Sequence, residues 1–312
     1  MNVSKTFKKN VFLSLYLINL LGKGIHIWDS FTHLEPYKII DRSNGDVASD
    51  SYYKYKEDIQ NVHDLKFDMY RFSIMWARIL PDGYRHRINQ KGIDFYNRFI
   101  DEVLSKGKQP MVTLYHWDLP QPIEDNGGWL NPAIVQIFAD YADLIFNHFG
   151  DKVKWWITVN EPMNVAAGYG TSVLAPGLDI HGVGEYLAGH NIIKAHANVF
   201  RLYERKYRIK QQGNVSINLS GLFGMPLRNN SHEDEEAAER HNQFTYGWFG
   251  HPIYSKEGDY PRVMREYIDR NSALEGRKQS RLPYFTREEI NYIRGRYIPS
   301  AALNCSPTLV FF

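Results

Sequence analysis

From about residue 60 onward, the chain alternates between two spacings of apolar residues. Short runs rich in β-branched and aromatic residues predict strands at 67–74, 111–117, 153–159 and 214–220. Between the strands, apolar residues recur at helical spacing and predict helices at 92–107, 131–150 and 185–207. Further helices are predicted around 233–248, 260–270 and 286–295. Strands that alternate singly with helices are typical of a parallel sheet with crossover helices.

Two of these helices begin with residues that favour a helix start. Asn131 followed by Pro132 predicts an N-cap and a first helical position. Thr286 and Glu289 have the spacing of a capping box, in which each side chain bonds to the other residue's backbone. We therefore expect both helices to begin at these residues.

Polar and aromatic residues follow the predicted strands. Arg71 lies within the first strand, His116 and Trp117 end the second, and Asn160 and Glu161 end the third. Functional groups at successive carboxyl ends of strands are typical of a (β/α)8 TIM barrel. A doubly wound sheet would carry a glycine-rich phosphate loop after its first strand, and the sequence has none. The predicted fold is therefore α/β, of the TIM-barrel type.

Composition excludes several classes of function. The 312 residues are 43% hydrophobic and 23% charged, as in a globular protein with a sizeable core. A formal net charge of +2 gives no electrostatic reason to expect a nucleic-acid partner. The single cysteine, Cys305, excludes an internal disulfide framework and a cysteine-based metal site. The 14% of aromatic residues fits a sugar-stacking site and a large core equally well.

The first residues differ from the rest. Lys5, Lys8 and Lys9 precede an apolar run at 11–21, a pattern that resembles a secretory signal peptide. No small-x-small cleavage pattern follows the run, so a misassigned leader over 1–21 is the alternative interpretation. This segment slightly favours a secreted or lysosomal protein and leaves the location unknown.

Many short segments resemble glycoside hydrolase family 1, the β-glucosidases and their relatives. They include "GKGIHIWDSF", "YRFSIMWARILPDG", "LYHWDLPQPIEDNGGWLNP", "WITVNEPMN", "NIIKAHANVFRLY", "AAERHNQFTYGWFGHPIY", "GDYPRVM" and "RLPYFTREE". They occur in the family's order and cover about residues 22–295. The resemblance implies a TIM barrel, a β-glycoside substrate and no cofactor.

Members of that family are retaining β-glycosidases that use two glutamates. By resemblance, Glu161 in the "NEP" motif matches the acid/base, and Asn160 matches the residue that binds the sugar 2-hydroxyl. His116 matches a donor to the 3-hydroxyl, with Trp117 beside it. Arg71 matches the arginine that orients the nucleophile.

The chain also departs from the family pattern. It contains no Thr-Glu-Asn-Gly-like segment, so the resemblance supplies no nucleophile. Residues 1–21 stand in place of the first barrel strand, and residues 296–312 do not resemble the family. We therefore expect an incomplete barrel domain over 22–295, from a truncated chain without its nucleophile.

Three interpretations stay open. The chain is a retaining β-glucosidase in incomplete form, an inactive sugar-binding pseudoenzyme, or an unstable fragment. An open barrel exposes two sheet edges, so self-association through those edges is expected.

Two other kinds of site are not expected. His26, His181, His190 and His196 have no metal-ligand spacing with an acidic residue, and no metal site is predicted. Asn218 begins an Asn-Leu-Ser sequon, but we predict it inside a buried strand and expect no glycan there.

Overall fold

The structure is a computed structural model that describes residues 22–33 and 38–295. They belong to two compact units, one ending at Leu219 and one beginning at Ser220. The predictions for a leader over 1–21 and for a tail over 296–312 fall outside the described residues.

The first unit alternates helices with four strands. In chain order its elements are α1 (Ile27–His33), α2 (Ser51–Asp64), β1 (Met69–Ser73), α3 (Trp76–Ile79), α4 (Gln90–Ser105), β2 (Gln109–Tyr115), α5 (Gln121–Asp125), a 3-10 turn (Gly128–Leu130), α6 (Ile134–Phe149), β3 (Trp155–Asn160), α7 (Pro162–Gly170), α8 (Gly184–Lys206), α9 (Arg208–Gln211) and β4 (Asn214–Asn218). The four strands and three helices predicted in this part of the sequence are all present, with ends shifted by a few residues.

The four strands form one parallel sheet in the order β1-β2-β3-β4. Phe72 pairs with Val112, and Val112 pairs with Trp156 on the next strand. Helices connect each strand to the next, as the hydrophobic pattern predicts. Because all four strands run the same way, their carboxyl ends meet at one edge of the sheet. Four of the five side chains predicted to be functional lie at that edge, and the side chain of Arg71 reaches it from the middle of β1.

Aromatic side chains pack the helices against the sheet. The ring of Trp76 stacks on that of Tyr141 in α6, with centroids 4.6 Å apart, and both side chains are fully buried. The Tyr141 hydroxyl oxygen lies 2.9 Å from the carbonyl oxygen of Ile74 and 3.1 Å from that of Leu114. This contact fixes α6 against the ends of β1 and β2.

The start of α6 differs from the prediction. The helix begins at Ile134 with Ala133 as its N-cap, so the prediction of Asn131 as N-cap is wrong. The Asn131 side-chain oxygen instead accepts a hydrogen bond from the Ala133 backbone at 3.0 Å. A bond of that span also occurs between an N-cap and the second residue of a helix, so Asn131 stabilises the turn that precedes α6, and the helix itself begins later than predicted.

The two helices before β1 were not predicted. In α2, Tyr52 stacks on Phe95 of α4 at 4.3 Å, and Tyr55 stacks on Phe99 at 5.3 Å. Tyr52, Tyr55 and Ile59 have helical spacing, so the signal was present in the sequence.

The second unit consists of helices in its described part. They are α10 (His232–Asn242), a π-helical segment (Gln243–Gly247), α11 (Trp248–Tyr254), α12 (Arg262–Leu274) and α13 (Arg287–Ile293). The capping box of α13 is confirmed, because Thr286 and Glu289 exchange side-chain to backbone hydrogen bonds. Among the described residues of the chain, no helix combines the length and apolarity needed to cross a bilayer.

Candidate active site

The five predicted site residues lie together at the carboxyl edge of the sheet. Arg71 is the third residue of β1, and His116 and Trp117 follow β2 directly. Asn160 ends β3, and Glu161 is the next residue along the chain. The parallel order of the strands therefore brings residues far apart in sequence into one cluster.

Asn160 is the centre of this cluster. Its side-chain oxygen accepts hydrogen bonds from Arg71 Nη2 at 2.5 Å and from Asn218 Nδ2 at 2.9 Å. Its side-chain nitrogen lies 3.0 Å from His116 Nε2, and Trp117 Nε1 donates to its backbone oxygen at 2.9 Å. Asn160 is only 3% exposed. These contacts give its amide one orientation.

Arg71 is oriented by two acceptors. Besides its bond to Asn160, its Nε donates to the hydroxyl of Thr113 on β2 at 3.1 Å. Burial lowers the pKa of the Arg71 guanidinium, and the negative charge of Glu161 opposes that shift. Since an arginine side chain stays protonated in proteins, Arg71 supplies a fixed positive charge beside the end of β3.

The imidazole ring of His116 is neutral at neutral pH. Loss of solvation lowers its pKa below the usual 6.5, and the charge of Arg71 lowers it further, while Glu161 raises it. A neutral imidazole has one nitrogen that can accept a hydrogen bond. The Nε2 atom, which faces the Asn160 amide nitrogen, is that acceptor.

The backbone of Glu161 is held in an uncommon conformation. Its φ is +49°, in the left-handed region, and it is the N-cap of α7 with Pro162 at the first helical position. The Glu161 N–H donates to the Asn218 carbonyl at 2.9 Å, and Asn164 Nδ2 donates to Glu161 Oε2 at 3.0 Å. Such backbone conformations in residues other than glycine concentrate at functional sites. Here the conformation presents the carboxylate at the end of β3.

Three residues that support the site were not predicted from the sequence. Asn164 binds the Glu161 carboxylate, and Asn218 binds both Asn160 and the Glu161 backbone. Asp118 accepts backbone hydrogen bonds from Trp76 at 2.9 Å and from His116 at 3.1 Å. The His116–Asp118 contact spans two residues, as in an Asx-turn, so sequence could have suggested it. The contacts of Asn218 had no sequence signal.

A half-buried acid joins the two helices that follow β2 and β3. Tyr169 in α7 donates its hydroxyl to Glu124 Oε2 of α5 at 2.5 Å, and its oxygen accepts from the Trp129 backbone at 3.0 Å. Burial raises the pKa of Glu124 to about 7, although the Tyr169 bond opposes that shift. The contact fixes the elements beside the site and does not involve the five predicted residues.

The cluster combines several hydrogen-bonding side chains with a single acid. Within the described part of the chain, Glu161 is the one carboxylate whose charge acts on both Arg71 and His116. No group of three or more His, Cys, Asp or Glu residues in that part could hold a metal ion. The arrangement offers hydrogen-bonding groups for hydroxyls and one carboxyl group for proton transfer.

Comparisons with known proteins identify the family of the chain. The profile of Glycosyl hydrolase family 1 matches residues 18–304. Myrosinase 1 of Brevicoryne brassicae is 48% identical over 291 residues, which are 93% of this chain and 62% of that protein. The cytosolic beta-glucosidase of Cavia porcellus is 45% identical over 275 residues, covering 88% of this chain and 58% of that protein.

A solved structure confirms the fold class. The aphid myrosinase structure superposes with a TM-score of 0.87 and 49% identity, covering 89% of this chain and 60% of that one. Likeness at that identity and TM-score confirms the TIM-barrel type of α/β fold predicted from the strand and helix order. The chain spans about three fifths of the length of these relatives.

Proposed function

The chain belongs to glycosyl hydrolase family 1, and on that premise we propose that its site binds a β-glycoside and protonates the glycosidic oxygen. In this proposal Glu161 is the general acid, and Asn160, His116 and Trp117 bind the sugar. Arg71 keeps the Asn160 amide in place and supplies positive charge for a nucleophilic carboxylate. Residues 22–295 act as one partial barrel domain.

The observation that carries the proposal is the set of contacts around Asn160. Three of the four hydrogen-bonding positions of its amide are used by Arg71, Asn218 and His116. One N–H is left for a ligand, next to the Glu161 carboxyl group. A sugar hydroxyl beside the glycosidic bond would fit that N–H, and a contact there that strengthens in the transition state would raise the rate.

Retaining hydrolysis also needs a second carboxylate as nucleophile. The described residues place one carboxylate at this cluster, and the sequence has no nucleophile motif. A small anion can replace a missing nucleophile. Azide would attack the anomeric carbon from the face opposite the leaving group, the bond from carbon to the glycosidic oxygen would break, and Glu161 would give its proton to that oxygen. The product would be an α-glycosyl azide.

The test measures release of the aglycone from aryl β-glucosides with and without sodium azide. We expect azide to accelerate release and to yield α-glucosyl azide. Glu161→Gln should slow release from phenyl β-glucoside by about 10²–10⁴-fold, because phenoxide leaves poorly without a proton. Release from 2,4-dinitrophenyl β-glucoside should change by less than about tenfold, because that leaving group needs little protonation.

The matched control is Glu57→Gln, which removes an exposed carboxylate from α2. It should behave like the wild type with both substrates. Equal rates for Glu161→Gln and Glu57→Gln on phenyl β-glucoside would contradict the role of Glu161. Efficient hydrolysis without azide would contradict the absence of a nucleophile.

A sugar-binding protein without turnover is the second candidate. It is favoured by the contacts among Asn160, His116 and Trp117, which do not depend on a nucleophile. Calorimetry with glucose and cellobiose distinguishes the candidates. Binding of sugar without release of aglycone, even with azide, would support the second one.

We also propose that the chain self-associates through its sheet edges. In the sheet formed by the described residues, β1 and β4 are the outer strands. An unpaired edge presents backbone groups that can pair with another chain. Sedimentation velocity over a range of concentrations tests this, and a single species at the monomer mass of 36.4 kDa throughout would contradict it.

The secretory location stays a proposal that rests on residues 1–21. One of the relatives is named as a cytosolic enzyme, so the family does not fix the location. N-terminal sequencing of the protein recovered from cells and from medium would decide, since a secreted protein should have lost the basic and apolar run.

A further inference from the structure

We propose that Asn218 is a positioning residue: together with Arg71, it fixes the orientation of the Asn160 amide and, through that amide, the tautomer of His116. The inference deepens the proposed function, because it concerns the residues that would bind the sugar. Asn218 ends β4, and it is separated from Asn160 by 58 residues of sequence.

In this cluster the chemistry of Arg71 determines which atom donates and which atom accepts at each following contact. A guanidinium has only donors, so the Asn160 atom at 2.5 Å from Arg71 Nη2 is the oxygen. The same oxygen faces the Asn218 amide at 2.9 Å, so Asn218 presents its NH₂ group. The Asn160 nitrogen then faces His116 Nε2 at 3.0 Å, and that nitrogen accepts. A neutral His116 therefore has its proton on Nδ1.

Asn218 also contacts the neighbouring residue of the site. Its carbonyl oxygen accepts from the Glu161 backbone N–H at 2.9 Å. The register between β3 and β4 is irregular between Ile157 and Asn160, and Glu161 has a φ of +49°. One residue of β4 thus contacts both the amide of Asn160, through its side chain, and the strained backbone of Glu161, through its main chain.

The Asn218 amide takes part in the hydrogen bonds of the site, although it also belongs to a glycosylation sequon. Its Nδ2 atom, to which an N-linked glycan would be attached, donates to Asn160. The sequon at this position therefore coincides with a side chain that is used inside the site.

Asn218→Asp is the informative substitution, because it keeps the shape of the side chain and replaces the donor with an acceptor. The new carboxylate would face the Asn160 oxygen, and two acceptors repel each other. Arg71 has only donors, so it can release the Asn160 oxygen only by donating to the new carboxylate instead. Rotation of the Asn160 amide by half a turn then turns its NH₂ group to that carboxylate and brings its oxygen to His116 Nε2. His116 must then move its proton from Nδ1 to Nε2. After the rotation, the Asn160 N–H that was available to a sugar hydroxyl no longer points to the same position.

The experiment is nitrogen NMR of the histidine rings at about pH 8, where His116 is neutral because its pKa lies below the usual value. His116→Gln identifies the resonances of this ring. We expect the wild type to have the Nδ1–H tautomer and Asn218→Asp to have the Nε2–H tautomer. The matched control is Asn214→Asp, the same substitution at the exposed start of β4, which should keep the wild-type tautomer.

Glucose affinity by calorimetry is the second readout. Asn218→Asp should weaken binding by at least about tenfold, and Asn218→Leu, which removes one hydrogen bond without repulsion, by about fivefold. If the two Asn218 variants melt close to the temperature of Asn214→Asp, the loss of glucose affinity is not a result of partial unfolding.

An Nε2–H tautomer in the wild type would overturn the inference, and so would a tautomer that Asn218→Asp leaves unchanged. If Asn218→Asp does not fold, the wild-type tautomer and the affinity of Asn218→Leu decide instead, and an unchanged affinity would overturn the inference. A tautomer change in a protein that binds no sugar would support the positioning role and contradict the proposed function.

Discussion

At the scale of the residue, the site is a set of side chains that depend on one another. Asn160 contacts one residue from each of the other three strand segments: Arg71 of β1, His116 directly after β2, and Asn218 at the end of β4. Reversal of one donor or acceptor therefore changes the partners that the others can use. We expect substitutions within this cluster to be non-additive, as is usual for groups that share a hydrogen-bond network.

The first prediction concerns the buried hydroxyl of Tyr141. Tyr141→Phe removes the donor near the carbonyl oxygens of Ile74 and Leu114, at 2.9 and 3.1 Å. We expect the free energy of unfolding to fall by about 1–3 kcal/mol, because buried acceptors lose a partner. Urea denaturation measures the change.

The control for that measurement is Tyr53→Phe, since the Tyr53 side chain is 69% exposed. It should change the free energy of unfolding by less than about 0.5 kcal/mol. Equal losses in the two variants would show that the Tyr141 hydroxyl has no special role.

At the scale of the element, the start of a helix is determined mainly by interactions between residues close in sequence. The side chain of Thr286 accepts from the Glu289 backbone at 3.1 Å, and Glu289 Oε2 accepts from the Thr286 backbone at 2.9 Å. Both partners lie within one turn, so the sequence pattern was sufficient to predict them. The cap predicted at Asn131 was placed too early: its side chain bonds to the Ala133 backbone in a turn that precedes the helix.

The second prediction compares two neighbouring acids in the first turn of α13. Both Glu288 and Glu289 complement the helix dipole, but only Glu289 completes the capping box. Glu289→Ala should therefore cost about 0.5–1 kcal/mol more than Glu288→Ala. Denaturation with urea, together with hydrogen exchange of the α13 amides, measures this. A larger loss for Glu288→Ala would contradict the capping role.

At the scale of the whole molecule, buried acids make stability depend on pH. Burial raises the pKa of Asp118 to about 6 and that of Glu124 to about 7. A carboxyl group with a raised pKa in the folded state binds its proton more tightly there than in the unfolded chain. Its contribution to stability is therefore full below the unfolded pKa and falls as pH rises through the folded pKa.

The third prediction uses Glu124→Gln to isolate one such group. The variant keeps an acceptor for the Tyr169 hydroxyl but cannot ionise. Relative to the wild type, it should become more stable as pH rises from 4.5, the usual glutamate value, to about 7. Denaturation across that range measures the difference, in which the contribution of Asp118 cancels.

Glu57→Gln is the control for this experiment, because it removes an exposed carboxylate from α2. Its stability relative to the wild type should change less over the same pH range. A constant difference between Glu124→Gln and the wild type would contradict a raised pKa at Glu124.

The sequence by itself determined the alternation of strands and helices from β1 onward, the fold class, and the position of five residues in or directly beside the first three strands. Apolar periodicity is a property of neighbouring residues, because a helix or strand buries one face with its own spacing. Parallel strands then bring their carboxyl ends to one edge, so Arg71, His116 and Asn160 could be placed together without coordinates. The capping box at Thr286 was predictable for the same local reason.

Only the tertiary structure decided how these residues are oriented. The contact between Asn218 and Asn160 joins two strands across 58 residues, and the φ of Glu161 is held by the carbonyl at the end of β4. Hydrogen bonds of this kind depend on distances and angles between separate strands, which a one-dimensional pattern does not contain. The sequence therefore specified which groups meet, and the packing of the strands specified which atom of each group faces its partner.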